Sequence, residues 1–467
     1  MAPRTTMALV LLACSARVVR ADDGTKIGRL DLPTCVKRAI AAAPQIETAR
    51  ARVAVREGEL QKAKAARFIP EVGVTSSISP ARGAQGKLDS SLPSEHVTET
   101  NDIGYASRVQ LGFVQPLWTA GKITAGIQAA TAGVEAQLAA SARTTAEVVE
   151  QTRTLYYNVL LARAVTGVLE ETRDAFGKAL VTARERRDQG DAKITELDIL
   201  NLRVGAAEVA KEIPRLRASG ESALEALRRL MGIAPDAPVD LKDTRLEPEE
   251  ANLAPLAQYE AQLFADSPQW REVTAGVTAK EQEVKKAEAE YYPQLFLKGG
   301  FDYGYAPDRR RQTNPFVYDN YNYIRGPGGA LTVGWKLSFH MTAADVAIKK
   351  AELLTVESER RSAQSGLPVQ LHDAYRRVVE TRTQVEEMGE GRKAGRAVLT
   401  FAVANFDLGV GDPASILQGL GLYGRISSGY YEIVRNYNVA LASLASIMGE
   451  TSLPSPASAR APALADK

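Results

Sequence analysis

Apolar residues recur every seven positions along the stretch from Gly121 to Asp188, which contains no proline. All but one of these positions are apolar: Ile127, Val134, Ser141, Val148, Leu155, Ala162, Leu169, Phe176 and Ala183. A seven-residue apolar repeat is typical of helices that pack along a coiled-coil seam. At about 1.5 Å per residue, these 68 residues predict a single helical rod of roughly 100 Å.

Four shorter segments have the alternating or β-rich pattern of strands, two before this helix and two in the second half of the chain. They are Glu71–Pro80, Tyr105–Trp118, Leu295–Tyr305 and Ala330–Phe339. Strands of about ten residues with aromatic side chains near their ends suit an outer-membrane barrel, and a soluble four-stranded sheet is the alternative. The intervening segments, 81–104 and 306–329, are rich in turn residues and are predicted to be loops.

The chain repeats this order of elements, which indicates an internal duplication. Pro44 corresponds to Pro268 at an offset of 224 residues, and Gly190 corresponds to Gly409 at an offset of 219. Further ordered matches are Pro70 with Pro293, Ala130 with Ala351, and Met231-Gly232 with Met448-Gly449. A slowly drifting offset indicates two copies of one long unit rather than an array of short repeats. The predicted divisions are a leader at 1–21, repeats at 30–232 and 253–450, a linker at 233–252, and a disordered tail at 451–467.

The lengths of the remaining helical stretches predict how they pack. An opening helix at 33–67 and a returning helix at 194–231, kinked or briefly broken near Pro214, together match the length of the long rod. In the second copy the long helix spans 343–408, with an interruption at 366–368. Two short helices stacked end to end can therefore flank one long helix. Four strands cannot close a barrel, so the chain must oligomerise, and three copies would give twelve strands.

Composition excludes several other classes of protein. A net charge of +2 gives no electrostatic case for a nucleic-acid partner. The three histidines lack metal-ligand spacing, so neither a metal nor a cofactor is predicted. The sequence GLGLYG at 419–424 matches a dinucleotide-binding pattern, but it lies in a helical segment without a preceding strand, so its glycines are interpreted as sites of close helix approach. The chain is predicted not to be an enzyme.

The first residues predict export. Arg4 and the apolar run 7–13 are typical of a short bacterial signal peptide. Two cleavage sites remain open: a lipoprotein signal that would make an acylated Cys14 the first residue, or ordinary cleavage after Ala21. Beyond this leader, no run of 18 or more apolar residues predicts a transmembrane helix.

Taken together, the chain resembles the outer membrane efflux family, the trimeric channel-tunnels of the TolC type. The resemblance covers about 30–450 and rests on the following motifs: APQ and SPQ at Pro44 and Pro268, the helix-to-strand Pro70 and Pro293, QPLWTAGK at 115–122, and the repeat-ending LMG and IMG. It implies a mostly helical fold with four barrel strands per chain, a twelve-stranded barrel per trimer, and a long periplasmic helical barrel.

The resemblance also implies a function and partners. Such a protein is a passive conduit of a tripartite efflux or type I secretion system, located in the outer membrane with its helices in the periplasm. Its partners would be two further copies of itself, outer-membrane lipid, a periplasmic adaptor and an inner-membrane transporter. The alternative is a structural stalk of the outer membrane that conducts nothing.

The resemblance places the gate at the hairpin turns around Gly190 and Gly409. Well-known members carry a tyrosine, an arginine and two aspartates there, which correspond to Phe406, Gly411, Ser415 and Gln418, so none is retained. The candidate tip residues are Asp188, Gly190, Asp191, Phe406, Asp407, Gly409, Gly411, Asp412, Ser415 and Gln418.

The acidic residues at these turns have alternative interpretations. Asp412 before Pro413 fits a helix N-cap, Asp191 fits a turn, and Asp198 fits the first turn of the returning helix. Pore lining is the alternative for Asp412. We also hypothesise that three copies of Asp407 converge and make the entrance cation-selective. Unchanged ion selectivity in an Asp407→Asn channel would refute that hypothesis.

Overall fold

The computed structural model of the chain describes residues 28–68, 71–87, 96–234, 237–309 and 321–450. The predicted leader with Cys14, the helix-ending Pro70 and the predicted tail at 451–467 lie outside the described residues. Within the described part, no helix is long and apolar enough to cross a membrane.

The described residues form eight α-helices and four strands, in the same order in each half. The helices are α1 Leu32–Ala42, α2 Pro44–Ala65, α3 Lys122–Asp188, α4 Glu196–Leu230, α5 Leu256–Asp266, α6 Pro268–Glu288, α7 Phe339–Asp407 and α8 Pro413–Ile447. The strands are β1 Glu71–Lys87, β2 His96–Trp118, β3 Gln294–Tyr305 and β4 Tyr323–Gly334. Corresponding helices have 11 and 11, 22 and 21, 67 and 69, and 35 and 35 residues, which confirms the duplication.

The strands form one antiparallel sheet in the order β1-β2-β3-β4, so β1 and β4 are its edges. Side chains alternate between an apolar and a polar face, as the strand period requires. One apolar row holds Val74, Leu111 and Phe301, and the neighbouring polar row holds Thr75, Gln110, Asp302 and Arg325.

The predicted strand ends and loops were wrong at several points. β1 continues past Pro80 to Lys87 and pairs with a β2 that begins at His96, so much of the predicted loop at 81–104 is a hairpin. Pro80 lies opposite Tyr105 in an edge strand of the sheet, the position at which proline usually occurs in sheets. β4 begins at Tyr323, inside the second predicted loop, and ends at Gly334 rather than at 339.

Two predictions about helix breaks were also wrong, and of the two alternatives predicted at Pro214, a kink or a brief break, the break does not occur. The opening helix breaks at Ala43, because the following Pro44 favours extended backbone there, and Ala43 has ψ 124°. By contrast, α4 contains Pro214 and α7 contains Pro368 without a break. Packing offsets the cost of these prolines. Leu367 and Leu371, on either side of Pro368, are 1% and 0% exposed in an apolar cluster with α8.

The helices form four columns side by side: α2 with α4, then α3, then α6 with α8, then α7. The predicted end-to-end stacking is confirmed at both joints. A side chain at Gly232, after α4, would meet the Cβ of Ala42 at 2.7 Å. A side chain at Gly449, after α8, would meet Pro268 at the same distance, 2.7 Å. The two glycines have φ of 65° and 72°, which favours glycine at both joints.

The predicted seam of α3 is confirmed in its second half and displaced in its first. Val148, Ala162, Phe176 and Ala183 are buried as predicted. Nearer the sheet, the buried line moves to four alanines, which are Ala125, Ala132, Ala139 and Ala146. Small side chains on this line allow neighbouring helices to approach closely.

A strap formed by the extended segment 237–250 crosses the middle of the rod. Leu30 pairs with Leu241, while Tyr156 of α3 donates to Asp243 at 2.5 Å and Tyr157 donates to Glu249 at 2.7 Å. These contacts hold the strap against α3.

Candidate functional site

The candidate site is the end of the rod farthest from the sheet, where α3 turns into α4 and α7 turns into α8. Both turns use glycine in the left-handed region, with φ of 89° at Gly190 and 79° at Gly409. Asp191 N–H donates to the Arg186 carbonyl at 3.1 Å, and Val410 N–H donates to the Asn405 carbonyl at 3.0 Å. These bonds, together with those of the two glycine amides, close each helix with a Schellman motif.

The returning helices begin with side-chain caps. Thr195 and Asp198 form a reciprocal capping box at the start of α4. Asp412 caps α8 by accepting from the Ser415 amide at 3.0 Å, and Pro413 occupies the first turn. The predicted cap at Asp412 is therefore confirmed, and Asp198 lies in the first turn of α4 as predicted, with the capping box as a further role. The hydroxyl and amide of Ser415 both donate to Asp412, which lowers the pKa of that carboxyl.

Arg186, in the last turn of α3, joins the two hairpins. Its guanidinium donates to the carbonyl oxygens of Phe406 at 2.9 Å and Gly409 at 3.4 Å. It also forms an ion pair with Asp191 and lies 5.0 Å from the centre of the Phe406 ring. We call this set of contacts the Arg186 clasp.

The clasp is shielded from water, which strengthens its charged contacts. The side chains of Arg186 and Asp191 are 13% and 25% exposed. The amide of Lys193 donates to Asp191 at 3.0 Å, and this bond, followed by the hydrogen bond from Arg186, lowers the pKa of the Asp191 carboxyl. Asp191 is therefore ionised at neutral pH and available to Arg186.

An apolar cluster behind the clasp involves all four helices of the two hairpins. Phe406 is fully buried in it. The other buried members are Phe176, Ala179, Ala183, Ile194, Ile199, Leu202, Ile416 and Leu420. This tip cluster fixes the Phe406 ring beneath the guanidinium of Arg186.

The structure brings together only some of the predicted tip residues. Asp191, Phe406 and Gly409 meet at Arg186, and Asp412 pairs with Ser415. A Cβ at Gly411 would lie 3.2 Å from that of Asn405, so this position has little room for a side chain. The remaining four predicted residues are exposed around the turns: Asp188, Gly190, Asp407 and Gln418.

Sequence reasoning missed Arg186, the residue that links the hairpins. One signal could have found it. At the offset of 219 that relates Gly190 to Gly409, Arg186 corresponds to Asn405, so the charge occurs in one repeat only. An arginine in a last helical turn has an ordinary explanation in the helix dipole, which concealed its second role.

Two of the three glycines of GLGLYG have the predicted packing role, whereas a Cβ at Gly421 would meet nothing within 4 Å. They lie inside α8. A Cβ at Gly419 would lie 3.3 Å from that of Ala402 on α7, and one at Gly424 would lie 3.6 Å from the Thr172 hydroxyl on α3. The short distances confirm close helix approach at this segment.

Comparison with known proteins identifies the architecture. The family model described as outer membrane efflux protein matches residues 35–233, the first repeat. No curated protein matches the chain.

Solved structures match the fold over most of the chain. The outer-membrane channel OprN superposes with a TM-score of 0.73 at 15% identity, covering 90% of this chain and 89% of that one. The outer membrane protein VceC from Vibrio cholerae gives 0.71 at 15% identity, with 90% and 96% covered. The CmeC outer membrane channel of Campylobacter jejuni gives 0.70 at 14% identity, with 91% and 86% covered. The family match over the first repeat and the shared fold over about 90% of the chain confirm the resemblance to the TolC-like outer membrane efflux proteins.

Proposed function

We propose that this chain is one third of a trimeric outer-membrane conduit of a tripartite efflux or type I secretion system. In this proposal its sheet lies in the outer membrane, its helical rod lies in the periplasm, and a periplasmic adaptor with an inner-membrane transporter opens its tip. The observation that carries the proposal is a four-stranded sheet with two free edges and one apolar face, mounted on a rod of about 100 Å.

The sheet supports insertion in lipid. Its apolar face exposes large side chains, for example Val74 at 68%, Ile78 at 75%, Leu331 at 66% and Val333 at 66%. Unpaired backbone at the edges would be costly in hydrocarbon, so β1 and β4 need partners. Pairing β1 of one copy with β4 of the next satisfies both edges, and three copies close a twelve-stranded barrel.

The helical rod supports the same arrangement. On one flank, α7 exposes Ile348 at 55% and Phe401 at 69%. On the opposite flank, α4 exposes Leu197 at 65% and Val204 at 62%. Two different apolar flanks on one chain suit a head-to-tail contact, which closes into a ring when the rotation permits.

The tip suggests how the conduit is gated. The polar lock of well-known members is not retained, and the Arg186 clasp joins the same two hairpins by different atoms. Leu408 and Val410 of the second turn are each 76% exposed, which offers an adaptor an apolar contact beside the clasp. Binding there would separate the hairpins by releasing Arg186 from the carbonyls of Phe406 and Gly409.

The test combines mass and conductance of the detergent-extracted oligomer. We expect a trimeric mass and a small, mostly closed conductance in a planar bilayer. Arg186→Ala should raise the open fraction, whereas Arg184→Ala, which removes an exposed charge two residues away, should not. The alternative is a non-conducting stalk, and a trimer that stays silent in wild type, in Arg186→Ala and with adaptor added would favour it.

A further inference from the structure

The polar face of the sheet carries a compact group of charged and aromatic side chains. Arg108 lies on β2, Asp302 on β3, and Tyr323 and Arg325 on β4, all on adjacent cross-strand pairs. We call these four residues the arginine–tyrosine cluster.

Tyr323 is the centre of the cluster. Arg108 donates from Nε to the Tyr323 hydroxyl at 2.6 Å, and that hydroxyl donates to Asp302 at 3.1 Å. The guanidinium of Arg325 lies 4.6 Å from the centre of the Tyr323 ring, and that of Arg108 lies 5.6 Å from it. Both arginines are therefore held beside one aromatic ring, an arrangement that restricts their side chains before any ligand binds.

The charge of the cluster is positive. Asp302 is its one carboxylate, and it already accepts from Tyr323 and from Gln110 at 3.3 Å, with Arg108 at 3.8 Å. Arg325 is exposed beside the ring, so its N–H groups face solvent on the polar side of the sheet.

The other charged groups on this face lie farther along the strands. Lys298 and Glu71 share a row near the helical end of the sheet. Toward the other end, Asp308 lies over Gly104, and Arg309 is buried against Tyr321, with its guanidinium 4.2 Å from that ring. Four strand positions separate Gly104 from Arg108, about 13 Å of strand. Among the residues whose side chains the structure describes, these groups add two positive and two negative charges, so the net charge of the described face equals that of the cluster, which is positive.

We propose that the arginine–tyrosine cluster binds organic anions, and that three copies form a ring of such sites inside the outer end of the conduit. This rests on the proposed function, because the polar face lines the interior only in the closed trimer. A guanidinium matches a carboxylate, sulfonate or phosphate with two parallel hydrogen bonds, and its planar group also stacks on an aromatic ligand. The preferred ligand is an anion carried on an aromatic ring.

The test is the binding of pyrenetetrasulfonate to the purified trimer, followed by fluorescence anisotropy. We expect saturable binding to wild type and an increase in Kd of about tenfold in Arg325→Gln, which loses a charge-assisted contact. Arg108→Gln should weaken binding as well. The control, Arg184→Gln at the far end of the rod, has the same change in net charge and should bind as wild type does.

Conductance separates this inference from the proposed function. Absence of saturable binding, or equal affinity in wild type and Arg325→Gln, overturns the anion site even when the trimer conducts. A trimer that binds the dye through Arg325 but never conducts supports the site and refutes the conduit. In a conducting trimer under a KCl gradient, Arg325→Gln should shift the reversal potential toward cations, and an unshifted potential contradicts a site inside the conduit.

Discussion

Removing the Arg186 side chain should loosen both hairpins at the tip. Arg186→Ala deletes the hydrogen bonds to the Phe406 and Gly409 carbonyls, the ion pair with Asp191, and the contact with the Phe406 ring. A hydrogen bond that involves a charged group contributes about 1.5–3 kcal/mol, and a cation–π contact at least about 0.5 kcal/mol. Water can replace part of the lost interaction with the Asp191 carboxylate, since that side chain is 25% exposed. We expect a net loss of about 2 kcal/mol, a factor of about 30 in the local opening equilibrium.

Hydrogen–deuterium exchange of the intact trimer measures this loss directly. Amides of the two turns, 186–195 and 404–412, should exchange about 30-fold faster in Arg186→Ala, because exchange there requires local opening. Arg184→Ala is the matched control, since Arg184 is an exposed arginine of the same helix. A change below threefold at both turns, or an equal change in the control, would refute the clasp as the link between the hairpins.

Three further predictions concern the same tip. The pKa of Asp191 is lowered, so its contact with Arg186 stabilises the turn at pH values above the ordinary carboxyl pKa of about 4 and is lost as pH falls through the lowered value. Turn protection, corrected for intrinsic exchange, should therefore be constant from pH 5 to 8 and fall only in stronger acid, and a decrease near pH 6 would contradict this. Gly409→Ala should destabilise the turn by about 1 kcal/mol, because φ is 79° there and a residue with a Cβ is strained in that conformation. The control is Gly177→Ala, which lies in open space on α3 and should stabilise that helix by a similar amount. If the denaturation midpoints of the two variants moved in the same direction, backbone strain at position 409 would be refuted. Phe406→Ala should cost about 3–5 kcal/mol in urea unfolding, because the ring is 0% exposed, and a cost below 1 kcal/mol would show that the tip cluster tolerates a cavity.

Much of the fold could be predicted because patterns within short stretches of the sequence determine it. The seven-residue repeat and the absence of proline predicted α3 to within a residue, and the paired glycines predicted the two turns. Helix N-termini are also determined locally, so Asp412 was correctly assigned as a cap and Asp198 as a residue of the first turn. The duplication allowed each feature to be checked against a second copy.

The break at Ala43 follows a local preference, that of the residue before Pro44, which the sequence analysis overlooked. Most of the other errors have a common cause, which is that packing between distant segments overrode a local preference. Pro214 and Pro368 suggested breaks, but buried leucines and the neighbouring helices hold α4 and α7 continuous. Polar residues in 81–104 suggested a loop, although a hairpin ladder pairs the backbone whatever the side chains. Arg186 was missed because its partners are carbonyls 220 and 223 residues away, and carbonyls leave no signature in sequence.

The joints at Gly232 and Gly449 constrain how such a protein can change its length during evolution. Both joints lie in the columns that consist of two stacked helices, whereas α3 and α7 run past the joints without a break. An insertion between a joint and its turn leaves the columns level only when α3 and α4, or α7 and α8, gain the same number of residues. Seven-residue steps also preserve the seam. The distance from the sheet to the tip can therefore change through matched insertions in the two hairpins. The sheet and the helices on its side of the joints, α2 and α6, then stay unchanged.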